Sequence, residues 1–159
     1  MQKIINPKEA QRLSLSSKNK GKVKVLVGGC FDIIHIGHIK FLQESKKSGD
    51  ILFILLESDT KVRRLKGKSR PIFSQKERAL VLAALGFVDY VIMLPDMKSD
   101  KDYEKLILSL QPDVICVTEN DPLIKEKKRQ VNMIHAKLAA VPHIKTFSTS
   151  NLAKILGID

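Results

Sequence analysis

Residues 23–47, VKVLVGGCFDIIHIGHIKFLQESKK, decide the fold class of this chain. The stretch begins with a largely β-branched, apolar run over 23–27 that ends at Gly28 and Gly29, a pattern typical of a buried strand. Segment 36–47 then carries apolar residues at helical spacing, which predicts a helix. A strand followed by a helix is the unit from which parallel α/β sheets are built.

The rest of the chain repeats this alternation with short connections. Further strands are predicted over 51–56, 88–94, 114–117 and 144–147, and further helices over 75–85, 100–110, 121–139 and 150–156. The pattern predicts an α/β fold, a single doubly wound parallel sheet of about five strands that is Rossmann-like, with helices on both faces. Ligands of such sheets bind beyond the carboxyl ends of the strands, where the strand order reverses.

Length and composition exclude several classes of protein. The chain has 159 residues, 43% of them hydrophobic and 28% charged, as expected for one globular domain. Its longest uncharged run, 79–88, is far shorter than a membrane span, so no membrane partner is predicted. The two cysteines, Cys30 and Cys116, form no CxxC pair, which favours a cytoplasmic location and predicts no metal bound by protein ligands.

The net charge of +11 indicates anionic partners. Residues 1–24 hold seven Lys or Arg and one acid, which predicts a basic N-terminal arm over 1–21 ahead of a domain over 22–159. A second basic cluster covers 61–70. Aromatic residues, on which the bases of nucleic acids stack, make up only 5% of the chain. Nucleic acid is therefore a less favoured partner, and the basic arm would be its contact.

The loop after the first predicted strand has the features of a phosphate site. Gly28 and Gly29 allow a ligand to approach the backbone closely, and the helix that follows directs free N–H groups to the same place. His35 and His38, two of the four histidines, are three residues apart at the start of that helix. Their imidazoles can therefore donate hydrogen bonds to phosphate oxygens from one side, although surface histidines beside a turn would give the same pattern.

Two motifs in this loop, Gly29-Cys30-Phe31-Asp32 and His35-Ile36-Gly37-His38, resemble the signature of the cytidylyltransferase-like, or HxGH, nucleotidyltransferases. The resemblance runs from about Val23 to Leu156. Within the superfamily, segments 65–72, 77–78 and 88–91 look like those of bacterial heptose-phosphate adenylyltransferases, and glycerol-3-phosphate cytidylyltransferase is a more distant match.

This resemblance implies an enzyme in which a phosphorylated small acceptor, such as a sugar phosphate, attacks the α-phosphate of ATP and releases pyrophosphate. It also implies Mg²⁺ carried by the nucleotide, and a homodimer. By analogy the catalytic residues are His35, His38 and Lys66. The residues implied in nucleotide binding are Gly29, Cys30, Phe31, Gly37, Lys68, Ser148 and Thr149, and those implied in phosphate or acceptor binding are Asp32, Arg70 and Arg78. Asp32 would orient the loop or the acceptor, and the two arginines would contact phosphate groups of the acceptor or of the triphosphate.

Two departures from the family pattern leave alternatives open. Residues 143–147 lack the Arg-Thr-Glu-Gly-Ile run of glycerol-phosphate cytidylyltransferases, which favours ATP over CTP. Residues 118–121 replace a glycine-containing turn with an acidic one, which leaves the acceptor open. The alternatives are a CTP-dependent cytidylyltransferase, a flavin adenylyltransferase, and a nucleotide- or RNA-binding module without turnover.

Overall fold

The computed structural model of the protein describes residues 2–16, 21–142 and 148–157. Its strands are β1 (Ile4–Ile5), β2 (Lys24–Gly29), β3 (Ile51–Leu56), β4 (Tyr90–Met93), β5 (Val114–Thr118) and β6 (Lys137–Val141). Its helices are α1 (Pro7–Leu15), α2 (Ile36–Lys46), α3 (Asp59–Lys66), α4 (Gln75–Ala83), α5 (Asp100–Leu110), α6 (Ile124–Ile134) and α7 (Thr149–Ile155). None of these helices is both long enough and apolar enough to cross a membrane.

The strands form one sheet in the order β1-β4-β3-β2-β5-β6, and every pairing is parallel. From β2 the chain proceeds outward through β3 and β4, then returns to the other side of β2 for β5 and β6. The predicted doubly wound α/β sheet is thereby confirmed. Its strand order reverses between β2 and β5, so ligands are expected at the carboxyl ends of these two strands.

Two hydrophobic cores cover the two faces of the sheet. Side chains alternate between faces along a strand, and β3 is buried along its whole length because both faces are covered. One core joins Ile51, Phe53 and Leu55 of β3 to apolar residues of α1, α5 and α6. The other core joins the intervening residues of β3 to α2 and α4. This three-layer packing fixes the strand ends on which the site depends.

The N-terminal segment, predicted as an arm outside the fold, contributes an edge strand and a helix. β1 pairs with β4, and Ala10 of α1 is fully buried in the first core. Asn6 and Glu9 form a reciprocal capping box that starts α1, with N–H to oxygen distances of 2.8 and 3.0 Å. The expectation that the fold begins near Lys22 is therefore corrected. A two-residue strand shows no period in the sequence, and the positive charge of the segment suggested solvent exposure.

The chain after β5 also differs from its prediction. Helix α6 ends at Ile134 rather than near Ala139, because His135 adopts the left-handed conformation (φ +54°) and closes it. β6 follows and pairs with β5, giving the sixth strand. The strand predicted over 144–147 lies outside the described residues.

Gly49, in the turn between α2 and β3, has no room for a side chain. A Cβ atom there would lie 2.7 Å from the Val23 carbonyl oxygen and 2.7 Å from a methyl carbon of Val25. We expect Gly49→Ala to lower the free energy of unfolding by about 1–3 kcal/mol in urea denaturation, because backbone must move. Gly86→Ala is the matched control, since nothing lies within 4 Å of that position. Equal unfolding free energies for the two variants would contradict this packing.

Candidate active site

A large cavity lies where the strand order reverses. It has a volume of about 440 Å³ and reaches from Gly28 and Gly29 at the end of β2 to Thr118 at the end of β5. A smaller cavity of about 240 Å³ adjoins it. The residues that line both are Cys30, Phe31, His35, His38, Lys66 and Ser148. The structure thus brings all three predicted catalytic residues to one place.

The loop after β2 is shaped by a close contact between Gly29 and Phe31. Phe31 is buried and has a left-handed backbone (φ +45°), which turns its ring back toward Gly29. A Cβ atom on Gly29 would lie 2.9 Å from that ring, so only glycine fits without a shift. The Phe31 ring also meets the His38 imidazole edge to face, with centroids 5.2 Å apart. The predicted nucleotide-binding loop is therefore a packed support for His38.

The two histidines form one compact pair at the start of α2. Their ring centroids are 3.8 Å apart, and the rings are tilted by 31°. His35 is the N-cap residue, and its Nδ1 accepts a hydrogen bond of 3.2 Å from the Gly37 N–H. The proton of a neutral His35 therefore resides on Nε2, which is left as a hydrogen-bond donor. Gly37 itself lines the larger cavity.

Both imidazoles are held neutral at pH 7. Burial lowers the pKa of His35, and burial together with repulsion from His35 lowers the pKa of His38 to about 4. Neutral imidazoles donate hydrogen bonds to phosphate oxygens but bring no positive charge. Positive charge for an anionic ligand in this cavity would therefore come from lysine, arginine or a bound cation.

Asp32 holds the loop that borders the smaller cavity. Its buried carboxylate accepts hydrogen bonds from Arg70 Nε at 2.7 Å, from the Ile72 N–H at 2.9 Å and from the Phe73 N–H at 3.1 Å. Both members of the Asp32–Arg70 ion pair are almost fully buried, and both line the smaller cavity. The family resemblance implied that Asp32 orients the loop or the acceptor and that Arg70 contacts a phosphate group. In the structure Asp32 positions loop 70–73, and the phosphate contact of Arg70 stays a prediction.

Arg78 differs more sharply from its prediction. Its side chain is buried, and its guanidinium donates to the carbonyl oxygens of Phe73, Cys30 and Glu57 and to the carboxylate of Asp59. It lines neither of the two cavities. Arg78 thus joins the loops after β2 and β3 to the start of α4, and the predicted phosphate contact is corrected to this structural task.

The two predicted lysines of the basic cluster separate in the structure. Lys66 is the last residue of α3, and the next residue, Gly67, has a positive φ of +106° that ends the helix. Its side chain lines both cavities, whereas Lys68 is exposed and lines neither of them. The sequence suggested an extended loop with both side chains on one face. The helix ends between the two lysines, and Lys68 lies in the turn after Gly67, so the alternation of an extended strand does not apply to them.

Ser148 and Thr149, two of the predicted nucleotide-binding residues, lie beside the histidine loop. Ser148 is the N-cap residue of α7 and lines both cavities, and Thr149 lines the smaller one. The Thr149 hydroxyl donates a 3.0 Å hydrogen bond to the carbonyl oxygen of Ile33. This bond ties the start of α7 to the loop that carries the histidines. The Ser148 hydroxyl is also engaged, because it donates to the Asn151 side-chain oxygen and accepts from the Asn151 N–H.

The larger cavity is also lined by Thr118, Asp121 and Lys127. The first two belong to the turn where the sequence departs from the family pattern, whereas the sequence did not single out Lys127. The charged run that contains Lys127 looks like the solvent face of a helix in the sequence. Only the position of α6 beside β5 turns one of its lysines inward. Knowledge of the strand order would have been needed to find it.

Glu57 and Tyr103 form a further pair next to this site. The Tyr103 hydroxyl lies 2.9 and 3.0 Å from the two carboxylate oxygens of Glu57. Burial raises the pKa of Glu57, and the hydrogen bond from Tyr103 and nearby lysines partly oppose this effect. Glu57 also donates its backbone N–H to the Gly29 carbonyl oxygen at 3.2 Å, so it is held against the end of β2.

Among residues 2–16, 21–142 and 148–157, no group of three or more His, Cys, Asp or Glu side chains is arranged to hold a metal ion. Asp32, the carboxylate of the first loop, is already occupied by Arg70 and two backbone N–H groups. A Mg²⁺ ion in this cavity would therefore be held mainly by phosphate oxygens and water.

Comparison with known proteins gives a consistent picture. The sequence model described as cytidylyltransferase-like matches residues 26–154. The bifunctional protein HldE of Wolinella succinogenes is 43% identical over 114 residues, which are 72% of this chain and 23% of that protein. HldE of Campylobacter concisus is 50% identical over 102 residues, 64% of this chain and 20% of that protein. This chain thus spans about a fifth of the length of these curated relatives.

Solved structures agree with the fold. A lipopolysaccharide core biosynthesis protein from Thermoplasma volcanium superposes with a TM-score of 0.62 at 29% identity, covering 80% of this chain and all of that one. The pantoate-beta-alanine ligase of Francisella tularensis gives a TM-score of 0.64 at 16% identity, covering 91% of this chain and 69% of that one. The second likeness concerns the fold alone.

Proposed function

Because the chain belongs to the cytidylyltransferase-like family, we propose that it is a nucleotidyltransferase that transfers AMP from ATP to a sugar phosphate and releases pyrophosphate. The observation that carries the proposal is the packed pair of His35 and His38 at the point where the strand order reverses, with Lys66 bordering the same two cavities. The larger cavity, of about 440 Å³, is in the size range of small-molecule sites.

The chemistry follows from these positions. A phosphate oxygen of the acceptor attacks the α-phosphorus of ATP, and the bond from that phosphorus to the bridging oxygen of pyrophosphate breaks. The neutral imidazoles of His35 and His38 donate hydrogen bonds to the α-phosphate oxygens, where negative charge grows in the transition state. Lys66 supplies positive charge to the phosphates that depart. A Mg²⁺ ion would be held by the triphosphate and water and would neutralise further charge.

Two observations support the choice of substrates. Segment 65–72 resembles that of heptose-phosphate adenylyltransferases, and the run typical of glycerol-phosphate cytidylyltransferases is missing, which favours ATP over CTP. The related Thermoplasma volcanium protein is a lipopolysaccharide core biosynthesis protein, which favours a sugar phosphate as the acceptor. Both described cysteines are free, which supports a cytoplasmic location. The homodimer implied by the family resemblance stays a prediction.

Nucleotide choice is tested by thermal unfolding with ATP, CTP or GTP, each with and without Mg²⁺. A ligand at a hundred times its Kd stabilises a protein by about 2.7 kcal/mol, which shifts the midpoint by several degrees. We expect ATP with Mg²⁺ to give the largest shift. A shift with CTP alone would contradict the choice of ATP, and no shift with any nucleotide would contradict the proposed function and favour a different ligand class.

A further inference from the structure

Lys127, on α6, lines the larger cavity, and the mechanism above gives it no role. It does not line the smaller cavity, and its side chain is half-buried. Its amine donates a 3.2 Å hydrogen bond to the neutral side-chain amide of Gln130. Burial lowers the pKa of Lys127, while the carboxylates of Asp121 and Glu57 act in the opposite direction. Removing a lysine amine from water costs free energy, which an anionic ligand would offset.

In the order of the sheet, Lys66 and Lys127 follow strands that lie on either side of β2. The sheet order runs β3-β2-β5; Lys66 ends the helix after β3, and Lys127 lies in the helix after β5. The histidine pair follows β2, so it lies between the two lysines in the order of the sheet. In-line phosphoryl chemistry puts the entering and leaving oxygens on opposite sides of the reacting phosphorus. Two lysines on opposite sides therefore match the two phosphate groups that the reaction brings together.

The surroundings of each lysine indicate which phosphate it binds. Lys66 borders the smaller cavity together with Arg70, and two basic side chains suit the several oxygens of a triphosphate. Lys127 faces only the larger cavity, where Thr118 and Asp121 present a hydroxyl and a carboxylate. Such oxygens accept hydrogen bonds from the hydroxyl groups of a polyol.

We propose that Lys127 binds the phosphate group of the acceptor, a phosphate monoester of a polyhydroxylated carbon skeleton, and so determines acceptor specificity. This inference rests on the proposed function. The bound phosphate oxygen attacks the α-phosphorus of ATP and forms the new P–O bond, and pyrophosphate leaves with the electron pair of the bond that breaks. The positive charge of Lys127 holds the acceptor phosphate close to the triphosphate against their mutual repulsion.

The test compares Lys127→Ala and Lys127→Arg with the control Lys125→Ala, which removes an exposed lysine of the same helix. Wild-type protein is first assayed with Mg²⁺-ATP and glucose 1-phosphate, mannose 1-phosphate, heptose 1-phosphate or glycerol 3-phosphate. The acceptor that it converts fastest is then used to measure KM for acceptor and for ATP in each variant. Thermal unfolding with and without ATP reports folding and nucleotide binding independently of turnover.

In Lys127→Ala we expect the acceptor KM to rise at least about tenfold, because a charged hydrogen bond is lost, while the ATP KM and the ATP-induced shift stay within about twofold of wild type. Lys127→Arg is expected to recover most of the loss, and Lys125→Ala to behave as wild type. An unchanged acceptor KM overturns the inference about Lys127 but not the proposed function. A rise in the KM for ATP without a rise in the acceptor KM has the same meaning. Wild-type protein that converts no acceptor and shows no ATP shift overturns the proposed function, and this inference with it.

Discussion

Replacing His35 or His38 with alanine is expected to lower kcat by about a hundredfold or more while the protein stays folded. Each imidazole is neutral and lies at the strand reversal, so each variant loses a hydrogen-bond donor aimed at the α-phosphate in the transition state. Steady-state release of pyrophosphate from ATP and a sugar phosphate measures the loss. Because the donors act in the transition state, kcat should fall more than the KM for ATP rises.

A matched histidine control is available in His135. It is exposed and closes α6 with a left-handed backbone, which asparagine adopts readily. His135→Asn should therefore keep the wild-type rate. Rates close to wild type in both His35→Ala and His38→Ala, with His135→Asn also active, would remove the histidine pair from the mechanism.

Asp32→Ala is expected to lower the free energy of unfolding by about 3–5 kcal/mol, because it leaves the buried Arg70 guanidinium without its carboxylate. It also removes the acceptor for the backbone N–H groups of Ile72 and Phe73. Urea denaturation followed by circular dichroism measures the change. The double variant Asp32→Ala/Arg70→Met should recover part of the loss, because the buried guanidinium charge is then gone.

The exposed ion pair between Lys47 and Glu44 is the matched control for this prediction. Its two side chains are 70% and 44% exposed, so water screens their attraction, and Glu44→Ala should change stability far less than Asp32→Ala. If Asp32→Ala costs no more than Glu44→Ala, the buried pair does not hold loop 70–73 as described. If the double variant is no more stable than Asp32→Ala, the buried charge of Arg70 is not the cause of the loss.

Local sequence signals predicted the parts of the fold that depend on local physics. Consecutive residues alone predict the strand over 23–27, the glycines at its end and the helix that begins at 36. The capping box of Ser74 and Glu77 likewise fixed the start of α4, with N–H to oxygen distances of 2.9 and 3.4 Å in the structure. Such features need no knowledge of distant residues, because propensity, pattern and capping agree.

Elements stabilised by distant contacts were harder to predict. β1 has two residues and exists because it pairs with β4 across more than eighty positions of sequence. The end of α6 depends on a left-handed His135, where the sequence offers no glycine as a signal. In both places tertiary pairing outweighs local pattern, so the sequence suggested an arm in one case and a longer helix in the other.

The candidate site divides in the same way. His35, His38 and Lys66 were found from a motif, and the structure places all three on the same cavity walls. Arg78 was assigned to phosphate because arginine suits that ligand, but burial turns it toward carbonyl oxygens of its own chain. Lys127 was assigned to solvent, yet it lines the cavity. Side-chain direction decides these cases, and residue type alone does not encode it.

Transfer of AMP from ATP to a sugar phosphate is tested most directly by following labelled phosphate groups. Wild-type protein is incubated with Mg²⁺ and sugar phosphates, using ATP labelled in parallel at the α- or the γ-phosphate. We predict that the α-label appears in a nucleotide-linked sugar and the γ-label in pyrophosphate, because the acceptor attacks the α-phosphorus. Transfer of the γ-label to the acceptor, or no transfer of either label, would contradict the account.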